Sequence, residues 1–311
     1  QNQLESSNKL ELIMTELSGN APTLEVGELT EDEAYQLAEA LKLQLADQQL
    51  PSSDEASIKK MVAGLGDQRG ALRLTFAQSL GSVGEAAIPI LCVALKSNPN
   101  VVIRRASAKT LNIIGSELAL PNLIEAFETD NDPVVQGSSA GAMATIGIPA
   151  IESLLKILSN DKCTAFQVGL INLALSFIGA KAPAAFTTAA KSENPEIRIA
   201  ALTALSEQVH SSASKTAKNI LLEALKDEEA EVRAEAATIT GKALEPEEAE
   251  AELTALLIDS SPQVRKNTAL ALMKMESFNS IEALTASIKR ETDKQVKNVM
   301  KVALNQLEIN S

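Results

Sequence analysis

The sequence predicts an all-α protein: an α-solenoid of about eight two-helix repeats behind an N-terminal helical cap. Three observations carry that prediction. Ala and Leu dominate a chain that is 45% hydrophobic and only 2% aromatic, with six Phe, one Tyr and no Trp, which favours close helix packing over strands. A Val-Arg helix opening recurs at Ile197-Arg198, Val232-Arg233 and Val264-Arg265. Taking that basic residue as an anchor yields Arg73, Arg104, Gln136, Val168, Arg198, Arg233, Arg265 and Lys297, spaced 30 to 35 residues apart. Repeats of that length cannot bury their apolar faces alone and must stack.

The N-terminal segment comes first. Residues 4 to 17 read as a helix and 18 to 28 as a Gly, Asn and Pro loop. From 29 to 51 an apolar stripe runs through Ala34, Leu37, Leu41 and Leu45, behind Thr30 and Glu33 at capping-box spacing. Residues 1–51 are therefore expected to cap the array, the alternative being a partner-binding arm; residues 52–311 form the repeats.

Within each repeat the columns have distinct physical roles. The residue before the anchor is aliphatic in seven of eight units, Gln167 being the exception. Four and seven residues after it stand mostly Ala and Leu, as in Ala108 and Leu111 or Ala269 and Leu272, which places both on one core-facing helical face. Six residues before the anchor stand Asp67, Asn98, Asp130, Lys162, Ser192, Asp227, Asp259 and Glu291. Side chains of that kind cap amides and pair with arginine, predicting a ladder of hydrogen-bonded pairs between adjacent units. A second apolar helix precedes each anchor helix, as in "AAIPILCVALKS" (86 to 97) and "LALPNLIEAFET" (118 to 129).

The pattern D-x-x-P-x-V-R followed by A-x-x-L is clearest where Asp259 precedes "SSPQVRKNTALALMKM" (260 to 275). It resembles HEAT repeats, and most closely the HEAT-like repeats of phycobilisome lyases. "GLGDQRGALRLTFAQSLGSVG" (64 to 84) and "NPNVVIRRASAKTLNIIG" (98 to 115) are similar to members of that group. The resemblance covers roughly residues 52 to 308. It implies a protein partner on the concave surface, phycobiliprotein subunits first, and a role as a non-catalytic assembly or turnover scaffold. It also implies two alternatives: a bilin lyase or chromophore-detaching protein, in which the tetrapyrrole is bound transiently and a second HEAT-repeat subunit takes part, or an adaptor for an iron–sulfur scaffold protein. No catalytic residue carries over, because the shared motif is structural.

The regularity fails in the third and fourth units. "VVQGSSAGAMATIG" and "TAFQVGLINLALSFIG" are uncharged helices, so they are expected either to pack closely through small residues or to form a groove in which Gln136, Ser139, Gln167 and Asn172 supply hydrogen bonds. Gly84, Gly115, Gly147 and Gly179 read as helix terminators, a signal missing from the last four units. A boundary near Gly179 to Pro183 competes with the continuing repeat spacing, which favours one repeat domain.

Charge restricts partners further. A formal net charge of −13 and a pI near 4.8 oppose a nucleic-acid surface, while Lys266 and Lys274 belong to a basic C-terminal end suited to an acidic partner. No apolar run approaches the ~20 residues of a membrane-spanning helix, and no basic-then-apolar leader opens the chain, so a cytoplasmic or stromal protein is expected. Chemistry is sparse. The only histidine, His210, reads as a loop residue; Cys92 and Cys163 are too few and too far apart for a zinc site or a disulfide scaffold. The low aromatic content also leaves little for a flat conjugated ligand to stack on.

Overall fold

The computed structural model describes residues 29–160, 162–210 and 215–310. The helix and loop expected over 4 to 28 lie outside them. All regular structure among the described residues is helical, and it divides into two compact units, residues 1–153 and 154–311, with the division inside the helix Ile151–Leu158.

In the first unit α1 (Glu31–Ala46) starts with the capping box read from the sequence: Thr30 Oγ1 accepts from Glu33 N at 3.3 Å, and Glu33 Oε2 accepts from Thr30 N at 2.9 Å. Its buried face of Ala34, Ala38 and Leu41 packs on the second helix of the first repeat, removing from water an apolar face that would otherwise be exposed. Three helix pairs follow: α2 (Glu55–Gly64) with α3 (Gly70–Val83), α4 (Ile88–Ser97) with α5 (Val101–Ile114), and α6 (Leu120–Thr129) with α7 (Pro133–Ile146). The second helices stack on one another in order, α3 on α5 and α5 on α7. The core lies between the layers, where Phe76, Leu80, Leu91, Leu111, Phe127 and Met143 are fully buried.

Gly84, Gly115 and Gly147 end their helices with φ of +73°, +66° and +84°, backbone that a Cβ would strain. Each pair is then re-entered through a short 3₁₀ turn, at Gly84–Ala87, Glu117–Ala119 and Ile148–Ala150. That break matters for the segment Gly70–Ser97, which by length and composition alone matches a membrane-spanning helix. Gly84 divides it into α3 and α4, and α4 is almost wholly buried in the core.

The second unit takes up the chain within α8 (Ile151–Leu158). It continues with α9 (Ala165–Lys181), α10 (Pro195–His210), α11 (Lys215–Ala224), α12 (Ala230–Ala243), α13 (Pro246–Ala255), α14 (Pro262–Lys274), α15 (Ile281–Arg290) and α16 (Lys294–Asn310). The helices α9, α10, α12, α14 and α16 stack successively. Leu175, Leu205, Val232, Leu272 and Val296 are at or near zero exposure, so the columns read from the sequence are core here as well.

Three sequence expectations are corrected. The fifth unit has no full first helix: Pro183–Phe186 and Ala189–Lys191 are 3₁₀ turns, separated by Thr187 and Thr188, β-branched residues of low helix propensity. Gly179 does not end a helix but lies inside α9, where a Cβ would stand 2.2 Å from Ala204 O. It is glycine so that α9 and α10 can approach backbone to backbone. His210 is not in a loop; it is the last residue of α10.

Candidate functional site

The ladder is present, and its geometry explains the anchor column. Where an acid follows one repeat on, the anchor arginine reaches in two directions. Arg233 Nη1 donates to the carbonyls of Asp227 at 2.8 Å and Glu228 at 2.9 Å in its own loop. Its Nε and Nη2 fork the carboxylate of Asp259 in the next repeat at 2.8 and 2.9 Å. Arg265 does the same with Asp259 O, Ser260 O and Glu291. Arg198 repeats it with Ser192 O, Glu193 O and Asp227, and Arg104 with Asn98 O and Asp130. A planar fork of five donors suits this double task, which a lysine ammonium could not perform.

The acidic partner is itself occupied. Asp130, Asp227 and Asp259 each accept from the amide two residues on, at 2.8 to 2.9 Å, the Asx-turn geometry that short acidic side chains favour. Arg265, together with the amides of Asp293 and Thr292, outweighs burial and holds Glu291 down to about 2. Burial raises Asp227 and Asp259, but hydrogen bonds from Arg198 and Arg233 and from loop amides prevail, so both lie below the ordinary carboxylate range. Crevices of about 400 Å³ beside Arg198 and Asp227, and about 380 Å³ beside Arg104 and Asp130, open at these rungs. The arginine and aspartate of each rung are already paired with each other, so the ladder is a structural feature.

The irregular anchors follow from the same logic. Gln136 Nε2 donates to Asp130 O at 2.8 Å, keeping the own-loop contact of an anchor. The acid position one repeat on holds Lys162, and the one after Val168 holds Ser192. Arg73, followed by the amide Asn98 rather than an acid, keeps the own-loop half of the contact through the carbonyls of Asp67 and Gln68.

The six candidate residues are thus placed as follows. Gln136 is half-buried and committed to Asp130 O. Ser139 is fully buried, so it lines no open groove. Gln167 is buried too, its Oε1 accepting from Thr164 N and Oγ1 in a capping box at the start of α9. Burial on the helix-packing side overrides the expectation that these polar side chains face a ligand. Asn172 is half-buried; Lys266 is half-buried and Lys274 exposed, eight residues apart on α14. Gln136 and Ser139 belong to the first unit and the other four to the second. Cys92 is buried, which pushes its thiol up to about 12, and Cys163 is half-buried.

What sequence reading missed is the other side of α9. Phe166, Gly169, Leu173, Phe177 and Ala180 are exposed, at spacings of three and four residues, so they form one continuous face. Phe166, Leu173 and Phe177 are 51%, 69% and 47% exposed. A Cβ on Gly169 would meet nothing within 4 Å, which leaves a bare dip between Phe166 and Leu173. At the end of the face Lys181 Nζ sits 4.2 Å from the Phe177 ring centroid, a cation–π contact. The signal in the sequence is a helix apolar on all sides; such a helix reads as buried, and so the exposed phenylalanines escape notice.

Stacked antiparallel helix pairs carrying an Arg–Asp ladder define an α-solenoid protein of the HEAT type. Residues 58–144 and 218–305 match the family described as HEAT repeats. The chain is 63% identical to the bilin biosynthesis protein MpeU of Synechococcus sp. (strain WH8020) over 294 residues, 94% of this chain and 99% of that protein. It is 29% identical over 127 residues to the uncharacterized phycocyanin operon protein Z of Pseudanabaena tenuis (strain PCC 7409), spanning 38% of this chain and 62% of that one. Among solved structures, the complex of CpcE and CpcF of phycocyanin lyase from Nostoc sp. PCC7120 aligns with a TM-score of 0.30 and 23% identity, over 60% of this chain and 99% of that one. The chain belongs to the HEAT-repeat family related to the phycobilisome bilin lyases.

Proposed function

We propose that this chain is a bilin lyase-type protein, which takes up a linear tetrapyrrole and delivers it to a cysteine of a phycobiliprotein subunit in the cytoplasm. The observation that carries this reading is the 63% identity to a bilin biosynthesis protein along 94% of the chain. That relationship favours bilin handling over the assembly or turnover scaffold expected from the repeats alone. In the transfer, the thiol of the client cysteine adds across an exocyclic carbon–carbon double bond of the bilin. Sulfur bonds to one carbon, the proton passes to the other, and no oxidant or reductant is required. The client supplies the nucleophile, which suits a chain whose own Cys92 is buried with its thiol held protonated. The chain contributes binding and orientation, the part of catalysis that needs no reactive side chain.

Deleting the gene from a cell that makes phycobiliproteins tests this reading. Loss of one bilin from one client subunit, seen by mass spectrometry of its cysteine peptides, is expected. A full complement of bilins on every subunit would overturn the proposal.

A further inference from the structure

Resting on that bilin-handling reading, we infer that the exposed face of α9, formed by Phe166, Gly169, Leu173 and Phe177 and ending at Lys181, is where the tetrapyrrole is held. Four observations converge on such a ligand. The face is apolar and aromatic, although two exposed phenylalanines on one surface helix of a chain with six in all are costly to leave in water. Phe166 and Phe177 are eleven residues apart, roughly 16 Å along the helix, a length that suits several flat rings in a row rather than one. Gly169 leaves the backbone bare between them, so a conjugated ring can lie against the helix without meeting a side chain.

Charge supplies the fourth observation. A linear tetrapyrrole carries two propionate carboxylates, and this chain has a net charge of −13, which repels dianions in general. From Lys162 to Ser192, however, there is no Asp or Glu. The ammonium of Lys181 stands at the rim of the apolar face, over the Phe177 ring, where it can receive a carboxylate while the rings lie on Phe177, Leu173 and Phe166. An apolar body with an anionic end matches an apolar face with a cationic end.

The test is a titration of the full chain with biliverdin, read by bilin absorption and by the circular dichroism that a bound bilin acquires. Phe166→Ser, Leu173→Ser, Phe177→Ser and Lys181→Glu alter exposed side chains, and far-ultraviolet circular dichroism checks that each still folds. Val302→Ser, on the exposed side of α16, is the surface control. Weakening of biliverdin binding by at least about tenfold in the α9 variants, with the control unchanged, is expected. Binding by the wild type that all four folded variants retain would overturn this site alone. Variants that bind biliverdin normally but no longer capture the phycobiliprotein subunit would assign the face to the client instead and also overturn it. A wild type that takes up no biliverdin would remove the site, while the proposed function would still be judged by the gene deletion.

Discussion

Arg233 of one repeat forks Asp259 of the next at 2.8 and 2.9 Å, while its remaining amino group holds two carbonyls of its own loop. One side chain thus fixes both the loop that enters its helix and the position of the following repeat. The pair is largely shielded, with side-chain exposures of 14% and 8%. Its worth therefore differs from that of a surface ion pair, which contributes ~1 kcal/mol or less. Arg233→Ala leaves a shielded carboxylate without its cation and two carbonyls without a donor, and a loss of about 3 kcal/mol is expected in urea unfolding. Arg233→Lys should recover only part of it, because an ammonium cannot fork the carboxylate and reach the loop together.

Acid should weaken the ladder in a defined window. Arg265 holds Glu291 down to about 2, and beside the ladder Arg105 of α5 forks Asp132, the N-cap of α7, at 2.9 and 2.6 Å and holds it down to about 2, whereas in the unfolded chain Glu and Asp titrate near ~4.3 and ~3.9. A depressed carboxylate gives its full stabilisation above the unfolded value and loses it as pH falls through the folded one. Stability should therefore be level above about pH 5 and decline from there toward pH 2. In Glu291→Gln the decline should be shallower, with part of the stability already lost at pH 7. Urea midpoints measured at pH 7, 5, 4 and 3 check both points.

Two glycines set helix separation and a third does not. A Cβ on Gly179 would meet Ala204 O at 2.2 Å, and one on Gly241 would meet Ala271 Cα at 2.4 Å; both neighbours are backbone and cannot rotate aside. Alanine at either position should destabilise by about 1–3 kcal/mol, despite its better helix propensity. At Gly141 a Cβ would find only Asn112 Nδ2, at an ordinary 3.7 Å. Gly141→Ala should stabilise by about 0.5–1 kcal/mol. Thermal melts of the three variants would give this split in sign.

The thiols should differ in reactivity. Burial pushes Cys92 up to about 12, whereas Cys163 is half-buried between α8 and α9. A maleimide reagent at pH 7.5 should modify Cys163 in the native protein and reach Cys92 only after unfolding, as peptide mapping would show.

The repeats are legible because their signals are periodic and local. The Ala and Leu columns, the Thr30 and Glu33 capping box, and the pairing of anchor with acid all appear in the structure as read. Gly179 is easily misread because a glycine near a helix end looks alike whether it turns the chain or admits a neighbouring backbone; only the position of Ala204 distinguishes the two. Ser139 and Gln167 suggest a groove because polar residues in an apolar run suggest a ligand. Which side of α7 or α9 is covered depends on neighbouring helices, and a helix without a polar face carries no mark of it. For the same reason Phe166 and Phe177 pass for core, and the small aromatic content disfavours a conjugated ligand until their exposure is seen.

Purified chain mixed with a linear tetrapyrrole and an apo-phycobiliprotein subunit tests the proposed bilin transfer most directly. The client is recovered, unfolded in acidic urea, and examined for bilin absorbance that stays with the polypeptide. Bilin bound to a single cysteine, formed faster and with one spectral species only when the chain is present, is the predicted result. Attachment at the same rate and with the same mixture of products in its absence would contradict it.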